Sequence, residues 1–506
     1  MKRSKRRILK DLSIILTLLL AASCKMQNNG ASEKNVIDQS PNIIMIVADD
    51  LGWYDLSGYG NEFIETPNLD QLAKEGIRFT DAYAAAPLCS PSRASLITGL
   101  HPIRVNITEH IHGNRPPGSD QKLKTPSIAQ QLSLQYKTIA EALKTKDYNT
   151  AFIGKWHLGG GKFTPDHRGF DINIAGHAAG APESYLGTEN FGNGKKGKEI
   201  WAVPGLKEYH GKDIFLTEAI TQEALKSLDS VAGTQQPFFL YMSHYAVHTP
   251  IMGDERFVQK YLEKGLDSTE ARYASMVEGI DKSLGDVMKY LDEKEISENT
   301  VVLFMSDNGG LSAHARGGEP HTHNMPLSSG KGSMREGGIR EPMLVKWPEK
   351  IEPNSTSSYQ VIIEDFYPSI LEMAGIDSLN TVQRVDGQSF VSVLKGEKEY
   401  EGVRPLVWHY PNEWGPSGPG IGAASAIRKG DFKLIYYHAS QEMELFNLKE
   451  DIGETKNLVK VDTLKTKELA QNLSDYLKDV DAQMPILKAT DEKVPYPVNV
   501  LSKEIQ

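Results

Sequence analysis

The sequence predicts an α/β protein, with a parallel sheet buried on both faces and covered by helices, followed by a smaller part made of short strands. Three observations predict it. The largely apolar runs Asn42–Ala48, 150–156, 237–242 and Thr300–Ser306 show no polar alternation, as expected of strands covered on both sides. Residues 213–230 and 272–291 carry apolar residues at helical spacing. From about Val403 the pattern changes to short strands, at 405–408 and 426–437, and a closing helix at 461–480.

Composition bounds what such a fold does. The 506 residues suit one large domain and a smaller one, expected over 41–400 and 401–506. Residues 1–24 hold six Lys/Arg and one Asp, so the remainder carries 50 basic against 65 acidic residues, a net charge of −15. That argues against nucleic-acid binding. The chain opens with a basic stretch, 1–10, and a short apolar run, 12–22, which reads as a secretory signal. Ala21-Ala22-Ser23 before Cys24 resembles a bacterial lipobox, with Cys24 as the lipidated residue; an ordinary cleaved signal is the alternative. Residues 25–40 read as a polar tether. The expectation is an exported protein, in the periplasm or on the surface of a Gram-negative bacterium, touching membrane only through that anchor.

In chain order, Asn42–Ala48 runs straight into Asp49-Asp50, two acids at the carboxyl end of a parallel strand, where open α/β sheets place ligands. A turn opened by Asp is the plain alternative. Thr66 and Pro67 start a helix that Gly76 ends. Residues 85–99 read AAPLCSPSRASLITG. Pro91 suits the first turn of a helix, which brings Cys89 and Arg93 together at an N-terminus that favours negative charge. Cys89 is the only cysteine beyond the leader, and a lone thiol in an exported chain is a candidate special residue. An inert buried cysteine is the alternative. The run 150–156 delivers Lys155 and His157, and 237–242 leads to His244 and His248. Thr300–Ser306 leads to Asp307-Asn308-Gly309-Gly310, and Lys331 follows in Ser329-Gly330-Lys331-Gly332.

Together these motifs, over roughly residues 41–457, resemble the type I sulfatases of the alkaline phosphatase superfamily, in particular bacterial polysaccharide sulfatases. The resemblance implies a large mixed, mostly parallel sheet sandwiched by helices, with a C-terminal α+β subdomain on a short antiparallel sheet. It implies that a formylglycine-generating enzyme oxidises Cys89, and that the hydrated aldehyde is the nucleophile. Asp49, Asp50, Asp307 and Asn308, with residue 89, would hold Ca²⁺ or Mg²⁺; their oxygen donors suit a hard cation rather than Zn²⁺. Arg93 would hold the nucleophile, and Lys155 and Lys331 would clamp the sulfate. His248 would protonate the departing alcohol, and His157 would take the proton whose loss expels sulfate, leaving His244 structural. Ser184 is a weaker match to a sulfate-contacting serine, and His321, His323 and Asn324 are guesses for substrate contacts. The implied substrate is a sulfated glycan, of galactose or N-acetylgalactosamine type. Three alternatives stay open: a phosphodiester or phosphonate monoester hydrolase of the same superfamily, a catalytically dead glycan-binding lipoprotein, and a cysteine hydrolase using Cys89 and His157. The last leaves Asp49, Asp50, Asp307 and Asn308 without a purpose.

Overall fold

Asn42–Ala48 forms β1, and all seven of its residues are buried. In the computed structural model, which describes residues 40–111, 122–232, 234, 236–376, 383–397 and 404–501, β1 is the middle of a nine-stranded sheet. The leader, Cys24 and the tether before Ser40 lie outside the described residues. Among the described residues no helix is long and apolar enough to cross a membrane.

The other main strands are β2 (Ile77–Tyr83), β3 (Asn149–Gly154), β4 (Ile172–Ile174), β5 (Phe238–Ser243), β6 (Thr300–Ser306), β7 (Arg340–Lys346), β8 (Ser355–Ser357) and β9 (Val361–Ile362). Across the sheet the order is β9-β2-β7-β6-β1-β5-β3-β4, with β8 also on β2. The five from β6 to β4 are parallel, and β1 lies between β5 and β6. The chain therefore winds to both sides of β1, and the crevice at the carboxyl ends of β1, β3, β5 and β6 is the topological switch point. This is the expected mixed, mostly parallel sheet.

Helices cover both faces because every central strand is apolar on both. The face bearing Ile44 and Ile46 packs with α3 (Leu216–Ala232) and α4 (Ser268–Glu293); the face bearing Ile43, Met45 and Val47 packs with α2 (Cys89–Thr98). The helix α1 (Pro67–Glu75) begins after Thr66 as expected, but the Thr66 hydroxyl is turned to Ser57. Asp281 of α4 accepts from the Leu69 N–H instead (2.8 Å), so the free donor is satisfied from a neighbouring helix. The run expected over 150–156 stops as a strand at Gly154, whose φ of +113° turns the chain so that Lys155 N donates to Ser243 O (2.8 Å).

Strands β2 and β7 were not predicted. They carry Arg78, Asp81, Arg340 and Glu341 within the strand, which interrupts the apolar signal. β7 runs antiparallel to both β2 and β6.

The C-terminal part is an antiparallel sheet of β10 (Leu406–Tyr410), β11 (Ala424–Lys429), β12 (Phe432–Tyr437) and β13 (Met443–Asn447), covered by α5 (Thr463–Asp479). A buried charge cluster joins it to the main sheet. Lys433 of β12 is fully buried between Glu336 and Glu454, 2.7 Å from each. Burial pushes both carboxyls up. Lys433, Arg340 and Arg428 outweigh this at Glu336 and hold it near 2, whereas Glu454 is pushed up to about 7. Lys433→Met would leave the buried Glu454 without its cation and Glu336 with Arg340 as its remaining ion-pair partner. Its expected cost is about 3–5 kcal/mol, read from the denaturant midpoint. A change below about 1 kcal/mol would show that the cluster is not holding the sheets together.

Candidate active site

Most of the predicted site motifs end a strand or open a helix, and the fold brings them to one crevice, where Lys331 joins them from a loop. Asp49-Asp50 leaves β1, Lys155 and His157 follow β3, His244 and His248 follow β5, and Asp307-Asn308 leaves β6. Cys89 is the first residue of α2, whose ten residues are all buried. Asp50 and His157 both adopt left-handed backbone, with φ of +60° and +59°, conformations that non-glycine residues adopt where surrounding structure enforces them.

Asp49, Asp50, Asp307 and Asn308 are wholly buried, and each acid has a cation beside it. Lys155 Nζ is 2.6 Å from Asp49 Oδ2, and Lys331 Nζ is 2.7 Å from Asp50 Oδ1. The Arg93 guanidinium donates to Asp307 Oδ2 (2.7 Å), Ser243 Oγ (2.6 Å) and the Lys155 carbonyl (2.9 Å). Its remaining nitrogen, Nη2, lies 3.8 Å from Asp49 Oδ1 and makes no hydrogen bond. Ser243 was missing from the sequence reading because a serine closing an apolar strand gives no signal. Asn308 Nδ2 donates to Asp50 Oδ1 at 2.8 Å.

These residues fit a hard divalent cation. The buried oxygens Asp49 Oδ1 and Asn308 Oδ1 have no hydrogen-bond partner, an arrangement that costs free energy unless something else meets them. Ligand atoms of Asp49, Cys89 and Asp307 lie within 4.8 Å of one another, so residue 89 belongs to the same cluster.

Cys89 Sγ is 3.4 Å from His157 Nδ1, and His157 Nε2 is 3.0 Å from the Ile111 carbonyl. A carbonyl only accepts, so Nε2 carries the hydrogen and Nδ1 is left as an acceptor facing residue 89. Gly180 lies against this ring: a Cβ there would stand 2.2 Å from His157 Cε1. Burial, with Lys155 adding to it, keeps His157 well below the usual histidine range. Burial also pushes the Cys89 thiol up, against Lys155 and Lys331, so the thiolate a cysteine hydrolase needs is disfavoured. His248 Nε2 is 3.6 Å from Asp50 Oδ2, and its Nδ1 is 2.8 Å from the Thr249 carbonyl. Burial and Lys331 push His248 down to about 3. A bound sulfate carries the opposite charge to Lys331 and acts in the opposite direction. His244 is fully buried beside Ser283 Oγ (3.3 Å), as expected of a structural residue.

A cavity of about 510 Å³ opens above Cys89, His157, His248 and Lys331. Its walls include His110, Glu183, Lys198, Trp201, His314 and Trp414, none of which the sequence identified individually. Ser184, His321, His323 and Asn324 do not line it. The Ser184 hydroxyl is buried, accepts from Leu186 N (3.1 Å) and faces Met252. The loop after Gly310 folds back on itself, and this takes the other three away. His321 N donates to Ser312 O (2.8 Å), and His323 Nε2 is 2.6 Å from the Gly317 carbonyl. Asn324 is buried and donates to Gly310 O (3.0 Å) and Ser329 O (2.8 Å). Lys331 N donates to the same Gly310 carbonyl (3.0 Å), so Asn324 fixes the loop that carries Lys331 rather than touching the cavity.

Comparison with known proteins agrees with this arrangement. Residues 41–376 match the family model described as Sulfatase, and residues 330–483 match one described as N-sulphoglucosamine sulphohydrolase, C-terminal. A protein of Formosa agariphila named Sulfatase is 32% identical, over 96% of this chain and 96% of its own length. The N-acetylgalactosamine-6-sulfatase of Canis lupus familiaris is 32% identical, over 84% of this chain and 77% of its own. The crystal structure of Ps i-CgsB in complex with k-i-k-neocarrahexaose superimposes with a TM-score of 0.72 at 28% identity, covering 92% of this chain and 97% of that one.

Proposed function

The chain belongs to the sulfatase family and is a sulfuric ester hydrolase, and from that premise we propose that it removes sulfate from a sulfated glycan by means of a formylglycine made from Cys89. One observation carries the reading: Cys89 lies on the floor of the cavity, grouped with Asp49 and Asp307 and facing His157. Glycans are supported by what similar proteins are named for, an N-acetylgalactosamine 6-sulfatase and a protein crystallised with a neocarrahexaose. A sulfate on galactose or N-acetylgalactosamine is accordingly the proposed substrate. Phosphodiesters and phosphonate monoesters are the comparison substrates, and faster turnover of these than of sulfate esters would favour the superfamily alternative.

A divalent cation held by Asp49, Asp50, Asp307 and Asn308 would neutralise charge on the sulfate, with Ca²⁺ the first expectation and Mg²⁺ the second. The hydrated aldehyde at position 89 would supply the nucleophilic hydroxyl and a second hydroxyl through which sulfate is shed. The rest falls to ordinary side chains. Lys331, at the cavity floor, binds a sulfate oxygen as a point charge; Lys155, expected to clamp the sulfate as well, is wholly buried against Asp49 and does not line the cavity, so it acts from beneath through Asp49. Arg93 holds Asp307 and leaves Nη2 for the group at position 89. His248 gives a proton to the departing oxygen, and His157 accepts one at Nδ1.

Chelation is expected to abolish activity, and Ca²⁺ or Mg²⁺ to restore it, with metal content read by elemental analysis. Restoration by Zn²⁺ alone, or an Asp307→Ala variant with unchanged activity and metal content, would contradict the donor set.

Export and lipidation at Cys24 are part of the same proposal. Cys24→Ala is expected to move the enzyme from the membrane to the soluble fraction with its kinetic constants unchanged. Wild-type enzyme found wholly in the soluble periplasmic fraction would instead support an ordinary signal peptide.

A further inference from the structure

The cavity wall holds one more aimed imidazole. His110 lines it, with 23% of its side chain exposed, and its Nδ1 is hydrogen-bonded to Glu109 Oε1. An ionised carboxylate only accepts, so Nδ1 carries the hydrogen and Nε2 remains for whatever enters the cavity. Glu109 is itself fixed. Its Oε1 also accepts from His110 N (3.0 Å), and its Oε2 accepts from the Tyr410 hydroxyl (2.7 Å).

Tyr410 is the last residue of β10, in the C-terminal antiparallel sheet, and is fully buried. The chain that follows it stays on the same wall. Asn412 Nδ2 donates to the Thr108 carbonyl (3.3 Å). Trp414 lines the cavity, and its ring packs against Gly332, the neighbour of Lys331. The end of β10 and the loop after it thus hold residues 108–110 and wall the cavity. None of this is needed for the chemistry at sulfur, for which every group has already been placed. A histidine on a wall needs no chain of Glu109 and Tyr410 behind it unless its direction matters.

We propose that His110 contacts the sugar that departs when sulfate is transferred, hydrogen-bonding one of its ring substituents through Nε2, and that Glu109 and Tyr410 are positioning residues that aim it. The proposal rests on the sulfated-glycan reading above. It makes recognition of the sugar depend on the C-terminal sheet and the loop after it, while recognition of the sulfate depends on the ends of β1, β3 and β6 and on the loop that carries Lys331.

The test compares a sugar sulfate with 4-nitrophenyl sulfate, which shares the sulfate and lacks the sugar. The sugar probes are N-acetylgalactosamine 6-sulfate, N-acetylgalactosamine 4-sulfate and galactose 6-sulfate, and the one that wild-type enzyme turns over fastest is used. His110→Ala is expected to lower kcat/KM for the sugar about 10- to 100-fold, mainly through KM, and for the aryl sulfate less than about 3-fold. Glu109→Gln and Tyr410→Phe are expected to reproduce part of the sugar-specific loss and to add nothing in a His110→Ala background. His110→Gln, whose amide reaches close to the position of Nε2, is expected to recover part of it. Thermal midpoints are measured for every variant, so that a misfolded protein is recognised by equal losses on both substrates. Equal losses in a stably folded His110→Ala, an unchanged sugar rate, or additive losses in the double variants would each overturn the proposal. Failure of the glycan reading looks different: wild-type enzyme itself would hydrolyse the aryl sulfate and none of the three sugars.

Discussion

Cys89→Ala is expected to lower kcat by about 10⁴-fold or more while leaving the protein folded, because the side chain removed is the proposed source of the nucleophile. The groups proposed to bind the sulfate, Lys331 and the cation site, remain, so substrate should still bind competitively with inorganic sulfate. Folding should survive because residue 89 opens a helix whose other nine residues keep their packing, and alanine is a good helix former. The thermal midpoint should move by no more than a few degrees. Cys89→Ser separates the proposed chemistry from that of an ordinary hydroxyl nucleophile. A serine hydroxyl can attack sulfur and release the alcohol, but it has no second hydroxyl through which to shed the sulfate. With a maturing enzyme that oxidises only cysteine, at most one equivalent of alcohol per enzyme is expected, with the sulfate retained on residue 89 in the intact mass. Continued turnover by Cys89→Ala would end the account of Cys89 as the nucleophile's source.

The second large effect is selective. A sugar alkoxide is a poor leaving group and needs a proton as its bond to sulfur breaks; an aryl oxyanion such as nitrophenolate needs little help. If His248 is the general acid, His248→Ala costs the sugar sulfate about 10²–10⁴-fold in kcat/KM and the aryl sulfate much less. Lys331→Ala provides the control, because it removes the proposed interaction with the sulfate that both substrates share, and the two should suffer about equally. Lys155→Ala should also cost them equally, but through loss of the cation that pairs with Asp49 rather than through direct contact. Equal losses for the two substrates in His248→Ala would move the general-acid assignment away from this residue. This split is distinct from that expected at His110, where the sugar-specific loss falls on KM and not on the step that breaks the bond.

The floor of the site was legible in the sequence because it is built at strand ends. Asn42–Ala48 and Thr300–Ser306 end where their apolar runs end, and the polar residues that follow must point into the crevice between diverging connections. Cys89, Arg93, Lys155, His157, His248 and Lys331 were identified through motifs, and the fold brings them to that crevice with Asp49, Asp50, Asp307 and Asn308, the proposed metal ligands. The walls were not legible. His110, His314 and Trp414 lie in loops, and Trp201 closes a single 3-10 turn between loops, where what a side chain faces depends on contacts with distant segments, as Glu109 depends on Tyr410. The same dependence misplaced Ser184, His321, His323 and Asn324. Polar residues in a glycine-rich loop look like ligand contacts, but His323 and Asn324 bond to their own loop, the His321 ring lies against Gly418, and Ser184 bonds to its own turn. Strands β2 and β7 escaped because buried ion pairs put charges inside them: Arg340 with Asp81 (3.0 Å) and with Glu336 (3.2 Å).

The central claim is that position 89 in the working enzyme is not a cysteine, and the mass of one peptide tests it. Trypsin should release residues 79–93 as a single peptide, with residue 89 inside it. In enzyme that turns over aryl sulfate, this peptide is expected to have lost its sulfur, to carry a carbonyl oxygen in its place, and to react with a hydrazide as an aldehyde does. The modified fraction should rise and fall with specific activity when the maturing enzyme is co-expressed or left out. Fully active enzyme whose peptide retains a free thiol, alkylated by iodoacetamide and inert to hydrazide, would contradict it.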